Sequence, residues 1–132
     1  MSGVHIIGTL LRGYDDLTAL IPAAQIKAGK LPDGTVRGLL LRSVSNTENQ
    51  TLTREATIRK RARVSVTLRT QEYRDFDLIM PLIVKACAGL TGQIAGHMRV
   101  SILTAGEGPD VLGPASTFER TQDFRVSYDA QT

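Results

Sequence analysis

Tryptophan is absent from this chain of 132 residues, and phenylalanine and tyrosine supply three residues each. A core of ordinary size must therefore be aliphatic, built from Leu, Ile, Val and Ala. There is one cysteine, Cys87, which excludes an internal disulfide and leaves no cysteine-based zinc site. The two histidines, His5 and His97, fall in no cluster with metal-ligand spacing, so both are expected to be structural or solvent-exposed. The longest apolar run, DLIMPLIVKACAGL, is shorter than the roughly 20 residues a membrane span needs. The first residues, MSGVHIIGTLLRGYDD, lack the basic start and long apolar stretch of a secretory signal, so the cytoplasm is the expected compartment.

Positive charge is present, and it is concentrated. The net charge is +3, with a sequence pI near 9.4. Six basic residues lie between Arg54 and Arg69 (Arg54, Arg59, Lys60, Arg61, Arg63 and Arg69) against a single acid, Glu55. Within ATIRKRARVSVTLRT, residues 56–70, the even positions Ala62, Val64, Val66 and Leu68 are apolar, whereas Arg59, Arg61, Arg63 and Arg69 occupy odd ones. Period-two alternation predicts a strand with one buried face, from about Ile58 to Thr70.

Around this strand the pattern predicts the order α, β, β, β, α, β, β. Val4, Ile7, Leu10, Leu11, Tyr14, Leu17, Leu20 and Ile21 recur at helical spacing, with Ser2 as an N-cap and a break at Gly13, and the helix ends before Pro22. A short strand, a PDG turn and a longer strand follow; Leu39, Leu40 and Leu41 predict a central strand covered on both sides. A second helix carries Tyr73, Phe76, Ile79, Met80, Ile83, Val84 and Cys87 on one side, with a kink expected at Pro81 and a stop at Gly89. GHMRVSILTA and STFERTQDFRVSYD predict the last two strands, the latter with Phe124, Val126 and Tyr128 inward. Strands joined by hairpins predict one α+β domain over residues 1–132, with a mixed, mainly antiparallel sheet and two main helices on one face. Two polar or Gly/Pro-rich segments, near 45–57 and 106–116, are expected to be mobile loops.

No convergent set of titratable groups emerges, so the expectation is no enzyme, no cofactor, and no catalytic, cofactor-binding or metal-ligating residue. Cys87 lies on the buried side of its helix. Asp15 and Asp16 fit caps of backbone amides, and GEGPD lacks the lysine and context of a phosphate loop. The arginines are the remaining feature. Alternate residues of a strand lie about 6.5 to 7 Å apart, near the spacing of phosphates, so the row could meet a nucleic-acid backbone. It could equally pair with acids on adjacent strands, such as Glu119 and Asp123. No aromatic residues interleave with it, which disfavours base stacking.

The combination YDDLTALIPAAQI, KLPDGT, RARVSVTLRTQEYRDFDLIMPLIVKAC and ERTQDFRVSYD resembles the tail completion, or tail terminator, family of long-tailed bacteriophages and prophages. Arg63, Val64, Val66 and Leu68 match that family's strand-into-helix pattern. Arg120, Asp123, Phe124, Arg125, Val126 and Tyr128 match its closing strand. Ser127 and Pro81 depart from it, since the family often has a bulky residue at the first position and a proline inside the helix is unusual. The resemblance implies a ring, usually of six subunits, that caps the tail tube, stops its polymerisation and offers the surface for the head connector or head-closure protein. Genomic DNA would cross the lumen without sequence specificity, and no membrane is involved. The place implied is the head-proximal end of the virion's tail, reached from the host cytoplasm during assembly. On this resemblance Arg54, Arg59, Lys60, Arg61, Arg63 and Arg69 would contact the DNA channel or a neighbouring subunit, with some of Arg59, Arg61 and Arg63 in intersubunit ion pairs. The loops would order against partners. The alternatives are another neck component (a head-closure or connector-adaptor protein) and a small basic nucleic-acid-binding domain.

Overall fold

The computed structural model describes residues 2–49 and 57–131. The first helical pattern divides at Gly13 into α1 (Ser2–Arg12) and α2 (Asp15–Thr18). Glycine lowers helix stability there, and its amide closes the last turn onto the Thr9 carbonyl at 3.1 Å. Arg12, in the final turn of α1, donates to the Ile26 carbonyl at 2.8 Å and ties the helix end to β1 (Ile26–Ala28). β2 (Gly38–Asn49) and β3 (Thr57–Thr70) then lead into α3 (Asp75–Cys87), which continues through Pro81 and stops before Gly89, whose φ is +80°. The remaining strands are β4 (Thr91–Ile94), β5 (His97–Glu107), β6 (Val111–Leu112) and β7 (Phe118–Gln131).

These strands form one sheet in the order β1-β2-β3-β7-β5-β4, with β6 added beside β7. β1 runs parallel to β2 and every other pairing is antiparallel. The α+β expectation holds: α1 and α3 pack on one face of a mixed sheet. That face is supplied by the even positions of β3 and β7. Ala62, Val64, Val66, Leu68, Phe124, Val126 and Tyr128 are buried together with Leu39 and Leu41, against Ile6, Ile7 and Leu11 of α1 and Phe76, Ile79 and Ile83 of α3. Each large side chain so buried contributes about 1.5–3 kcal/mol. The fit is close at Gly3, where an added Cβ would stand 2.8 Å from the Ala62 Cβ, so α1 rests directly on β3.

Two expectations need correction. Leu39 and Leu41 are buried, but Leu40 is only half-buried, because no helix covers the other face. The segment near 45–57, expected to be a loop from its first residue, is strand through Asn49. Ser45, Asn46, Thr47 and Glu48 pair with Arg63, Ala62, Arg61 and Lys60 of β3 after a bulge between Ser43 and Ser45. It reads as loop because residues 43–48 are exposed on both sides, so no apolar period marks the strand. Residues 50–56, including Arg54, lie outside the described residues. The segment 106–116 contains the end of β5, the short β6 and a 3-10 turn at Pro114–Ser116.

Candidate interaction surface

The open face of the sheet is built by the odd positions of β3 and β7, which the register sets opposite one another. Arg59 faces Asp129, Arg61 faces Ser127, Arg63 faces Arg125, Ser65 faces Asp123 and Arg69 faces Glu119. Three of the arginines are held within the chain. Arg59 donates to Asp129 at 3.1 Å and to the Arg99 carbonyl at 2.6 Å. Arg63 donates to Asp123 at 2.8 Å and to the Ala105 carbonyl at 2.9 Å. Arg69 donates to Glu119 at 2.8 Å and to the Pro32 carbonyl at 2.8 Å. The pairing with acids of the adjacent strand, including Glu119 and Asp123, is therefore the arrangement adopted.

Within the chain, the expected contact residues take different places. Arg69 is only 5% exposed, so it belongs to the fold and offers no outward surface. Lys60, at an even position, points to the other side and pairs with Glu48, opposite it on β2, at 3.3 Å. Arg61 keeps its outward place. Arg42 and Arg125, outside the region of concentrated charge, are also exposed, and among the described residues no carboxylate pairs with Arg42, Arg61 or Arg125. Arg61, Arg63 and Arg125 converge, with Ser45, Thr47 and Ser127, on a concavity of about 390 Å³. Sequence inspection missed Arg125 as a member of this group. The signal that could have found it is the register: aligning the two strands sets Arg125 against Arg63.

A second polar cluster lies at the other end of β7. Asp110 accepts from Arg120 Nε at 2.5 Å and from Nη2 at 3.0 Å, and the Tyr73 hydroxyl donates to its Oδ2. The Arg120 guanidinium and then the Tyr73 hydroxyl hold the Asp110 carboxyl down to about 2, and the same carboxylate raises the Tyr73 phenol. Arg120 also stacks over Phe76, 4.5 Å from the ring centre. This cluster pins the middle of segment 106–116 onto the body while Val111 and Leu112 stay exposed. Nearby, Asp75 is buried. Desolvation pushes its carboxyl up, but bonds from Thr70 (2.6 Å) and Arg37 (2.7 Å) outweigh that and leave it lowered.

The remaining titratable candidates are structural in their surroundings. Burial pushes the Cys87 thiol up to about 12, far from a reactive thiolate. His97 stands edge-on to Tyr128 and to His5, with ring centres 5.4 and 6.1 Å apart, and burial followed by the His5 charge lowers its imidazole. Asp15 and Asp16 begin α2 without making a side-chain cap, and both are exposed. No helix among the described residues is long and apolar enough to cross a membrane.

No family model matches this sequence, and no curated protein matches it either. Likeness is found in solved structures. One, of no stated role, has a TM-score of 0.57 at 12% identity over 100% of this chain and 98% of its own. Another is a chain of the virion of a native gene transfer agent particle, with a TM-score of 0.70 at 12% identity over 96% of this chain and 94% of its own. The fold built by these residues is thus one found, at nearly full length, in a virion component.

Proposed function

We propose that this protein is a structural component of a phage-like virion, and specifically a tail terminator. It would form a ring, of six subunits on the family resemblance, that caps the tail tube and presents the surface for head joining. The single observation that carries the reading is the likeness, over 96% of this chain, to a chain of a gene transfer agent virion. The motifs of β3 and β7 support the finer assignment. Val64, Val66 and Leu68, with Phe124, Val126 and Tyr128, form the apolar side of the sheet's centre, while Arg63, Asp123 and Arg125 occupy its open side.

The physical task is specific. A tube grows by stacking identical rings through a contact between unlike surfaces, and nothing in such a contact defines an end. A terminator must bind the tube's last surface and reject a further tube ring on its own upper face. Deleting the gene is expected to give full heads without tails and unattached tubes, often too long. Adding the purified protein to tubes of correct length should restore joining. Joined, infectious particles from the deletion strain would refute the assignment, and images showing five-fold or twelve-fold symmetry at this protein would replace it with a different neck component.

A further inference from the structure

We propose that the concavity formed by Arg61, Arg63 and Arg125 on the open face of the sheet docks the acidic end of the helical layer, Asp15 and Asp16, of a second copy of this chain. The proposal rests on the ring reading for its setting, but it concerns which two surfaces meet.

The argument begins from a local conflict. Arg63 and Arg125 are directly opposed across two antiparallel strands, an arrangement that destabilises the free chain. Arg59 and Arg69 on the same face each have a carboxylate facing them on β7, whereas Arg61 faces only hydroxyls, Ser127 of β7 and Thr47 of β2. Arg63 does borrow Asp123, but Arg61 and Arg125 remain without a partner among the described residues. Unbalanced charge of this kind, gathered on a concavity lined with hydroxyls, suits an anion that arrives from outside.

Two anions are conceivable, a nucleic-acid backbone and a protein carboxylate, and the face itself favours the second. A polyanion lying across the open face would pass over Glu119, Asp123 and Asp129 as well as the arginines. Its affinity depends on neutralising many phosphates, and three guanidiniums without a carboxylate partner among the described residues, Arg42, Arg61 and Arg125, interrupted by three carboxylates, are a short track. A discrete pair of carboxylates, by contrast, fits a discrete cationic concavity and avoids the flanking acids. The chain carries such a pair. Asp15 and Asp16 are exposed in the first turn of α2, and among the described residues neither forms an ion pair. α2 belongs to the helical layer, on the side of the sheet away from the concavity. Surfaces on opposite sides of one chain can meet only head to tail, which is the heterologous contact that a closed ring requires.

The test uses the full chain and charge exchange. Wild-type protein should self-associate in sedimentation velocity, more strongly at low than at moderate salt. Arg61→Glu with Arg125→Glu should weaken association at least about tenfold, and Asp15→Arg with Asp16→Arg should do the same. The two double variants mixed in equal amounts, or all four substitutions in one chain, should restore association to within about threefold of wild type. Lys27→Glu with Lys30→Glu, the same charge change placed elsewhere, should leave it unaltered. If a reversal unfolds the chain by circular dichroism, Arg61→Ser with Arg125→Ser should still weaken association. The proposal is overturned if wild type stays monomeric at every concentration, if the Lys27/Lys30 control weakens association equally, or if the fourfold variant folds but remains dissociated. It is also overturned if the arginine variants lose duplex-DNA binding while self-association is untouched. Restored rings that fail to cap tubes would instead defeat the terminator reading and leave this contact standing.

Discussion

At one end of β3, Arg69 is 5% exposed, with Glu119 at 2.8 Å and the Pro32 carbonyl at 2.8 Å. Nearer the β2–β3 hairpin, Arg61 lies on the same strand and the same face, is exposed, and has Ser127 opposite it. The two arginines are chemically identical and equally placed in the alternation. What separates them is the residue that β7 brings across the ladder and whether the chain returns to cover the side chain. At the Arg69 end the Pro32 carbonyl reaches the guanidinium; at the Arg61 end no such bond is made among the described residues. A guanidinium is therefore part of the fold in one place and an available surface in the other, and strand position alone does not tell which.

The comparison can be broken most forcefully from the face that both arginines avoid. Phe124→Ala removes a fully buried ring from the core between the sheet and the helical layer and should cost about 3–5 kcal/mol in urea unfolding. A loss under 1 kcal/mol would mean that the apolar side does not carry the stability.

Glu119→Ala should come next, since it leaves the Arg69 guanidinium buried without its carboxylate. Full burial would cost about 3–5 kcal/mol, and partial exposure of Glu119 reduces the expectation to about 2–3 kcal/mol. Replacing both partners, as Arg69→Met with Glu119→Leu, should recover most of the loss. If the double variant is as unstable as the single one, the bonds to Pro32 and its neighbourhood matter more than the pair.

The acid limb of stability supplies a third measure. The Asp75 carboxyl is lowered in the folded chain, so the unfolded chain binds its proton first as the pH falls. Its contribution is fully present above the ordinary value of 3.8 and is lost as the pH drops through the lowered folded value. Asp75→Asn should cost about 1–3 kcal/mol near neutral pH, because the bonds to Arg37 and Thr70 lose their charge, and should flatten the acid limb. An unchanged slope below pH 4 would assign that limb to other carboxylates.

The smallest effect should come from the open face near the hairpin. Arg61→Ser or Arg125→Ser should change monomer stability by no more than about 0.5 kcal/mol, and Arg125→Ser should shift it toward greater stability by relieving Arg63. A loss above 1 kcal/mol in thermal melting would show that these residues belong to the fold as Arg69 does.

Much of this architecture was readable from local chemistry. The period-two pattern of Val64, Val66 and Leu68 and that of Phe124, Val126 and Tyr128 both became inward faces, because burial is the strongest force on a strand and repeats with the pleat. The helical break at Gly13 and the stop before Gly89 followed from backbone preferences that act within a few residues. The extension of β2 to Asn49 was hidden, since a strand exposed on both sides carries no alternation to detect. The Tyr73–Asp110–Arg120 cluster was hidden as well, because its members are brought together from three separate elements.

The sequence by itself determined the helices, the main strands, and the side of each strand that would be apolar, all consequences of side-chain period and of local turn chemistry. It also placed an excess of arginine on a single face. Only the tertiary structure decided the fate of each arginine. Long-range register chose Glu119 for Arg69, Asp123 for Arg63, Asp129 for Arg59 and Ser127 for Arg61, and a charge is satisfied by the group that stands opposite it in space.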